Sequence, residues 1–254
     1  MTPLFSLCNL RMTRTQGPGY ALVIPHLDIW AGEKIVLTGP SGCGKSTALD
    51  LLGMVLRPDS ADRFLFHPDA TVHDIAHIWK QGQDALAALR LRHMGYVLQT
   101  GGLLPFLNVY ENMALTARLL KLPDTRDCVE ALAKRLGISR LLMSMPGQLS
   151  IGERQRVAIG RALASRPRVL LADEPTAALD PLHASTVLDL LLSAVDDAGA
   201  TLILVTHDTA ILKRARFRHL HTRITSVATA AQETSAVEAI IEDVAEKRND
   251  PCEA

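Results

Sequence analysis

The sequence predicts an α/β fold: a mixed sheet with helices on it, an antiparallel β region at the N-terminus and an inserted α-helical subdomain. Three observations predict this. A glycine-rich turn joins the apolar run Ile35-Val36-Leu37-Thr38 to the helical stretch Ala48-Leu49-Asp50-Leu51-Leu52. Further on, short continuously apolar runs alternate with helical segments, the pattern of parallel strands covered on both faces. Between these regions, residues 107 to 145 keep a helical periodicity that interrupts the alternation.

The turn is the most specific of the three. Gly39-Pro40-Ser41-Gly42-Cys43-Gly44-Lys45-Ser46-Thr47 is a complete G-x-x-x-x-G-K-[ST] phosphate loop between strand and helix, and so marks a P-loop NTPase core. Its glycines let backbone N–H groups turn inward around phosphate, and the helix N-terminus below adds positive partial charge. Lys45 is expected to reach the β- and γ-phosphates and Ser46 to hold Mg²⁺ through its hydroxyl. The chain is therefore expected to bind a nucleoside triphosphate.

The elements follow in order. Tyr20-Ala21-Leu22-Val23-Ile24 and His26-Leu27-Asp28-Ile29-Trp30 read as strands of a hairpin-like region, after the turn signal Gln16-Gly17-Pro18-Gly19. Phe64-Leu65-Phe66 reads as a short strand, residues 84 to 93 as a helix, and Met94 to Gln99 as a strand ending in glutamine. Leu115, Leu119, Leu122, Val129, Leu132 and Leu136 place a helical subdomain at about residues 100 to 165, divided at Pro123-Asp124 and Gly137. Alternation then resumes: helix 152 to 165, strand 169 to 172, helix 181 to 197, strand 202 to 205 and helix 208 to 215.

Composition narrows the function. Lys plus Arg and Asp plus Glu are 27 each, so no global charge points to nucleic acid or an anionic surface. No run of 18 apolar residues exists, and Met1-Thr2-Pro3 opens without the pattern of a signal peptide. Cys8, Cys43, Cys128 and Cys252 lie far apart with no C-x-x-C pair, which argues against zinc or a disulfide scaffold and for a reducing cytosol.

Further chemistry sits at strand ends. The apolar run from Val169 ends in Asp173 and Glu174, at the sheet edge where open α/β folds bind ligands. Asp173 is expected in the Mg²⁺ shell, and Glu174 is placed to polarise water as general base. His207 also follows a buried strand and would reach the same edge, where an imidazole can hydrogen-bond a phosphate. Ser150, with Gly152 and Glu153, opens a helix as an N-cap and makes a second anion site.

Taken together, these residues resemble the ATP-binding cassette (ABC) ATPases over roughly residues 4 to 212. The phosphate loop, Gln99, the signature Leu149-Ser150-Ile151-Gly152-Glu153, Val169 to Glu174, Ala177-Ala178-Leu179-Asp180 and His207 follow the family's order and spacing. The resemblance implies two cassettes paired head to tail, each ATP held between one phosphate loop and the partner's signature helix. It assigns Gln99 to Mg²⁺ and the attacking water, Asp180 to the dimer loop and His207 to the γ-phosphate. Met94 to Asn112 and Gly152 to Arg156 look most like the lipoprotein-releasing, macrolide-exporting and cell-division subgroup, whose cassettes power a separate membrane subunit.

That resemblance implies an ATP-hydrolysing homodimer with ATP and Mg²⁺, at the cytoplasmic face of the cell membrane, serving a membrane-embedded transporter subunit and no nucleic acid. The alternatives are a soluble non-transport ABC ATPase and a regulatory module with weak hydrolysis. Three departures stand out. Ile151 replaces the first glycine of the signature. The adenine-stacking aromatic falls near Arg14, leaving Arg14 and Tyr20 as alternatives for the adenine contact. After His207, the usual strand-glycine-strand ending gives way to a basic stretch through Arg223, expected as a solvated face. Residues 1 to 227 form the expected ATPase domain. Residues 228 to 254 are expected as an acidic helical tail, from the capping box Ser235-x-x-Glu238 and the spacing of Val237, Ile240, Ile241 and Val244. Finally, Leu103, Leu104, Phe106, Leu107 and Tyr110 crowd a loop after two glycines and are expected to form the contact for the membrane subunit.

Overall fold

The computed structural model describes residues 2–14, 20–207, 217–227 and 236–244. The chain forms two compact units, Met1–Ala87 with Arg214–Ala254, and Ala88–Lys213. The expected turn at 16–19 and helix at 208–215 lie outside the described residues.

In the first unit, β1 (Phe5–Arg14), β2 (Tyr20–Ile29), β3 (Lys34–Thr38), β4 (Arg63–Phe66), β5 (His73–Asp74), β9 (Arg218–Val227) and β10 (Ala236–Asp243) pair in the order β5-β4-β1-β2-β10-β9-β3. The antiparallel β1–β2 pairing confirms the N-terminal β region, but the two expected strands of 20–30 are one. The register runs through Pro25, from Leu10↔Ile24 to Cys8↔His26. The Phe5 and Phe66 rings stack 4.6 Å apart in a core that also buries Leu7, Leu22, Ile24 and Leu37. Helix α1 (Lys45–Leu52) buries Leu49, Leu51 and Leu52. The short α2 (Ile75–Gln81), capped by Asp74 through the His77 N–H, was not expected from the weak pattern over 57–83. Cys43 and Cys128 are free thiols, whereas Cys8 is disulfide-bonded, which spacing along the chain does not reveal.

The largest correction falls at the C-terminal end. Residues 236–243, expected as a helix, form a strand that pairs with β2 in parallel and with β9 antiparallel. The spacing of Ile240, Ile241 and Val244 suits one face of a helix, but hydrogen bonding on both edges of the strand decides the conformation. Ala239 and Ile241 are buried, in period-two alternation. The strand–strand ending expected to be missing is therefore present as β9 and β10. The basic stretch is not simply a solvated face either. Arg218 donates to Asp243 (2.6 Å), the Asp28 carbonyl (2.6 Å) and Glu33 (3.1 Å), and Arg223 pairs with Glu242 at 2.8 Å. Burial opposes the Arg218 charge, but Asp243 and Glu33 outweigh it and hold the guanidinium above its ordinary range. Glu238 closes the set on Arg11 of β1 at 2.6 Å.

In the second unit, β6 (Met94–Val97), β7 (Val169–Asp173) and β8 (Thr201–Val205) run parallel in the order β8-β7-β6. Helix α3 (Asp84–His93) precedes β6. The stretch expected as a helical subdomain holds α4 (Val109–Leu119), α5 (Thr125–Arg135) and α6 (Ile151–Leu163), and α7 (Pro181–Ala198) leads into β8. These helices match the expected ones to within a few residues, and α4, α6 and α7 each begin at a side-chain cap, Asn108, Ser150 and Asp180.

Candidate active site

The phosphate loop is built by β3 and α1. β3 is buried from Ile35 to Leu37 and delivers Gly39 to a crowded position, where a Cβ would come within 2.9 Å of the Cys43 sulfur and the Thr222 carbonyl. Only glycine fits there. The loop closes on Gly44, which caps α1 in a left-handed conformation (φ 93°) with no side-chain cap. Lys45 is 5% exposed, and its Nζ donates to the carbonyls of Gly39 (3.0 Å) and Pro40 (2.7 Å), inside the loop. Ser46 is exposed in the first turn, as are Ser41 and Gly42 in the loop.

Tyr20 belongs to this assembly. Its ring lies against Gly44, and its hydroxyl is 2.9 Å from that of the buried Thr47. Arg14 pairs with Tyr20 across β1 and β2 and is exposed. Of the two adenine candidates, the structure brings Tyr20 onto the phosphate loop.

The acidic end lies in the second unit. Asp173 ends β7 opposite Val205. Glu174 continues the ladder, donating its N–H to the Val205 carbonyl at 3.0 Å, with its own backbone in the left-handed region at φ 43°. A non-glycine residue there costs on the order of 1 kcal/mol. Glu174 Oε1 lies 3.1 Å from His207 Nε2. Parallel pairing of β7 and β8 brings the two together, since each follows its strand by one or two residues. A carboxylate held by an imidazole can accept a proton from water, and the imidazole can donate to an oxyanion. Gln99 follows β6 and is exposed.

The signature segment starts α6. Leu149 is buried, and the Ser150 N-cap accepts from the Glu153 N–H at 3.3 Å. The Glu153 carboxylate in turn accepts from the Ser150 N–H (3.0 Å) and hydroxyl (2.9 Å). Those two bonds from Ser150, first backbone and then hydroxyl, hold the Glu153 carboxyl below its usual range. Ile151, half exposed, and Gly152 line a cavity of about 580 Å³ between the start of α6 and the turn Ala178-Leu179-Asp180. Asp180 caps α7 and binds His183 Nδ1 at 2.6 Å.

Sequence reasoning passed over three side chains. Asn112 is fully buried in α4; its amide donates to the carbonyls of Leu104, Leu107 and Asn108 and accepts from the Leu104 N–H. It moulds a loop from which Phe106 stands 72% exposed. A polar residue on the buried face of a helix was the available signal. The other two, Gln155 and Arg161 of α6, bond backbone carbonyls of the loop after β6.

The chemistry of the donors fits Mg²⁺. The Ser46 hydroxyl, Gln99 amide oxygen and Asp173 carboxylate are all hard oxygens.

The family model for ABC transporters matches residues 24–177. The lipoprotein-releasing system ATP-binding protein LolD of Paramagnetospirillum magneticum is 39% identical over 212 residues, 82% of this chain and 90% of the relative. The macrolide export ATP-binding/permease protein MacB of Sodalis glossinidius is 37% identical over 85% of this chain but only 32% of its own length. Among solved structures, the dimeric post-hydrolysis state of the cassette MJ0796 bound to ADP and Pi superimposes with a TM-score of 0.72 at 30% identity, covering 85% of this chain and 93% of that one. With a strand-borne phosphate loop, a Glu–His pair beyond parallel strands and a capped signature helix in the order that family requires, the chain belongs to the ABC transporter ATP-binding family.

Proposed function

We propose that this chain is the ATP-binding and ATP-hydrolysing subunit of an ABC transporter complex. It works as a homodimer on the cytoplasmic face of a membrane and drives a separate membrane-embedded subunit. The observation that carries the reading is the Glu174–His207 contact at 3.1 Å, beyond the ends of β7 and β8. A carboxylate so placed is a general base, and the imidazole that orients it is a phosphate donor.

The remaining residues take roles that follow from their chemistry. Lys45 and the loop N–H groups bind the β- and γ-phosphates, and Tyr20 packs beside them toward the nucleoside. Ser46, Gln99 and Asp173 would hold Mg²⁺, which would supply neutralising charge to the phosphates. Glu174 takes the proton of the attacking water while His207 donates to the γ-phosphate. Ser150, Ile151, Gly152 and Glu153 of the partner copy, with Leu149 buried beneath them, cover the same nucleotide, and Asp180 lies in the dimer loop. The likeness to LolD, and to the cassette portion of MacB, supports a permease partner of the lipoprotein-releasing or macrolide-exporting kind. The exposed Phe106, with Leu103, Leu104, Leu107 and Tyr110 half-buried around it, supports docking of that partner on this loop.

The test is steady-state ATP hydrolysis by the purified chain, alone and co-expressed with a candidate membrane subunit, for wild type and Phe106→Ala. Aromatic anchors at interfaces cost about 2 kcal/mol or more when truncated, so assembly is expected to weaken at least tenfold with ATP binding intact. If the isolated variant melts several degrees lower and assembles normally, the docking surface is refuted. If no ATP is hydrolysed with any membrane partner, the transporter reading fails.

A further inference from the structure

The turn that carries Gln99 is gripped by α6, the helix that begins with the signature. Arg161 donates to two successive carbonyls, Gly101 O at 2.9 Å and Gly102 O at 2.7 Å. Gln155 donates to Leu98 O at 3.4 Å, the carbonyl that also accepts the Gly101 N–H at 2.9 Å and closes the turn. Gln99 therefore lies between two attachment points on one helix.

The details favour a clamp over incidental packing. Gly101 and Gly102 both have positive φ, 74° and 57°. Two successive left-handed residues turn their carbonyls the same way, so a single planar guanidinium can take both. Side chains other than glycine rarely adopt such φ values, so the pair is restricted to glycine by conformation. Among the described residues the hydrogen-bond partners of Arg161 are these carbonyls, and burial pushes its pKa below the ordinary value. Hydrogen bonds from a charged donor are about twice as strong as neutral ones, and in a desolvated site they resist exchange with water.

We propose that Arg161 is a positioning residue that fixes the Gln99 turn onto the signature helix, so that movement of that helix carries Gln99 with it. This rests on the reading of Gln99 as the residue that holds Mg²⁺ and the attacking water. Arg161, bonded to the Gly101 and Gly102 carbonyls, acts through Gln99 alone.

The test is a double-mutant cycle in the full chain with Arg161→Ala, Arg161→Lys and Gln99→Ala, reading kcat, KM for MgATP and melting temperature. A misplaced catalytic group costs up to about a hundredfold, so Arg161→Ala is expected to lower kcat about ten- to a hundredfold with KM within about twofold. Arg161→Lys, which keeps the charge but not the fork, is expected to recover part of the loss. In the Gln99→Ala background, Arg161→Ala should add nothing further. If it costs as much there as in wild type, the clamp is overturned and the role of Gln99 stands. If Gln99→Ala leaves kcat unchanged, the Gln99 reading falls and takes the clamp with it. Should Arg161→Ala not fold, Arg161→Lys takes its place in the cycle, and a loss that persists in the Gln99→Ala background again overturns the clamp.

Discussion

The two helix ends to which the proposed function gives an anion are built in opposite ways. α1 begins after Gly44 with no side-chain cap and no acidic residue in its first turn, and its first residue is the buried cation Lys45. α6 begins after Ser150 with a full capping box, its first turn holding the carboxylate of Glu153. Both have N–H groups that need acceptors and a positive partial charge. The first leaves them for a ligand. The second satisfies the Ser150 and Glu153 amides from within, and the Ser150 hydroxyl is held by the same Glu153 carboxylate, so a phosphate reaching Ser150 must compete with Glu153. The difference teaches that a helix N-terminus is a binding site only to the extent that its own sequence leaves the amides unclaimed.

The largest expected effect separates binding at these ends from chemistry. Glu174→Gln leaves both helix ends intact and removes the base, so kcat should fall by roughly two to four powers of ten. ATP should still drive dimerisation, seen as a shift in size-exclusion elution. A wild-type rate in this variant would remove Glu174 from the mechanism.

The next experiment asks whether the two ends serve one nucleotide from different chains. Lys45→Ala disables the first end and Ser150→Arg the second. In an isologous dimer, about half the dimers of an equal mixture are mixed and each has one intact site, so mixing two inactive variants should restore about a quarter of wild-type activity. A mixture as inactive as its parents would argue against sites shared between chains, or for sites that must fire together. A single-turnover measurement on the mixture distinguishes these.

The smallest effect sharpens the comparison itself. Glu153→Gln keeps a capping side chain but removes the competing charge. Charge near a helix end is worth about 0.3–1 kcal/mol, so half-maximal ATP-driven dimerisation should need about two- to fivefold less ATP. Weaker dimerisation would show that Glu153 helps rather than competes. The pH dependence has a definite sign. The Glu153 carboxyl is depressed in the folded chain, so its contribution to stability is fully present above the unfolded carboxyl value. It is lost as pH falls through the lower folded value. A melting series from about pH 6 downward should therefore lose this cap in wild type and show no such step in Glu153→Gln.

Much of this was legible in the sequence because the decisive features are local. The phosphate loop is one strand, one turn and one helix start, contiguous from Ile35 to Leu52. Glu174 and His207 could be placed at one edge because each follows an apolar run whose parallel pairing the strand–helix alternation implies. The signature helix announces itself by Ser150 and Glu153, three residues apart. Each needs only short-range periodicity and capping chemistry, which side-chain order along the chain records directly.

What the sequence did not hold was anything set by partners far along the chain. Residues 236–243 have an apolar spacing compatible with a helix, and they become β10 because β2 and β9 offer two open edges, the former more than 200 residues away. The pairing of β9 with β10 likewise gives the charges their purpose, for Arg218 and Arg223 look like a solvated stretch until Asp243 and Glu242 are laid beside them. Tyr20 was separated from Arg14 as the residue against the phosphate loop only by the packing of its ring on Gly44, and Arg161 acquired a role only when two glycine carbonyls turned toward it. Local sequence determined the order of the elements and the reactive groups at their ends. The tertiary structure decided which conformation an ambiguous segment takes and which partner each charge finds, because those free energies come from hydrogen bonds and burial between residues that only folding brings together.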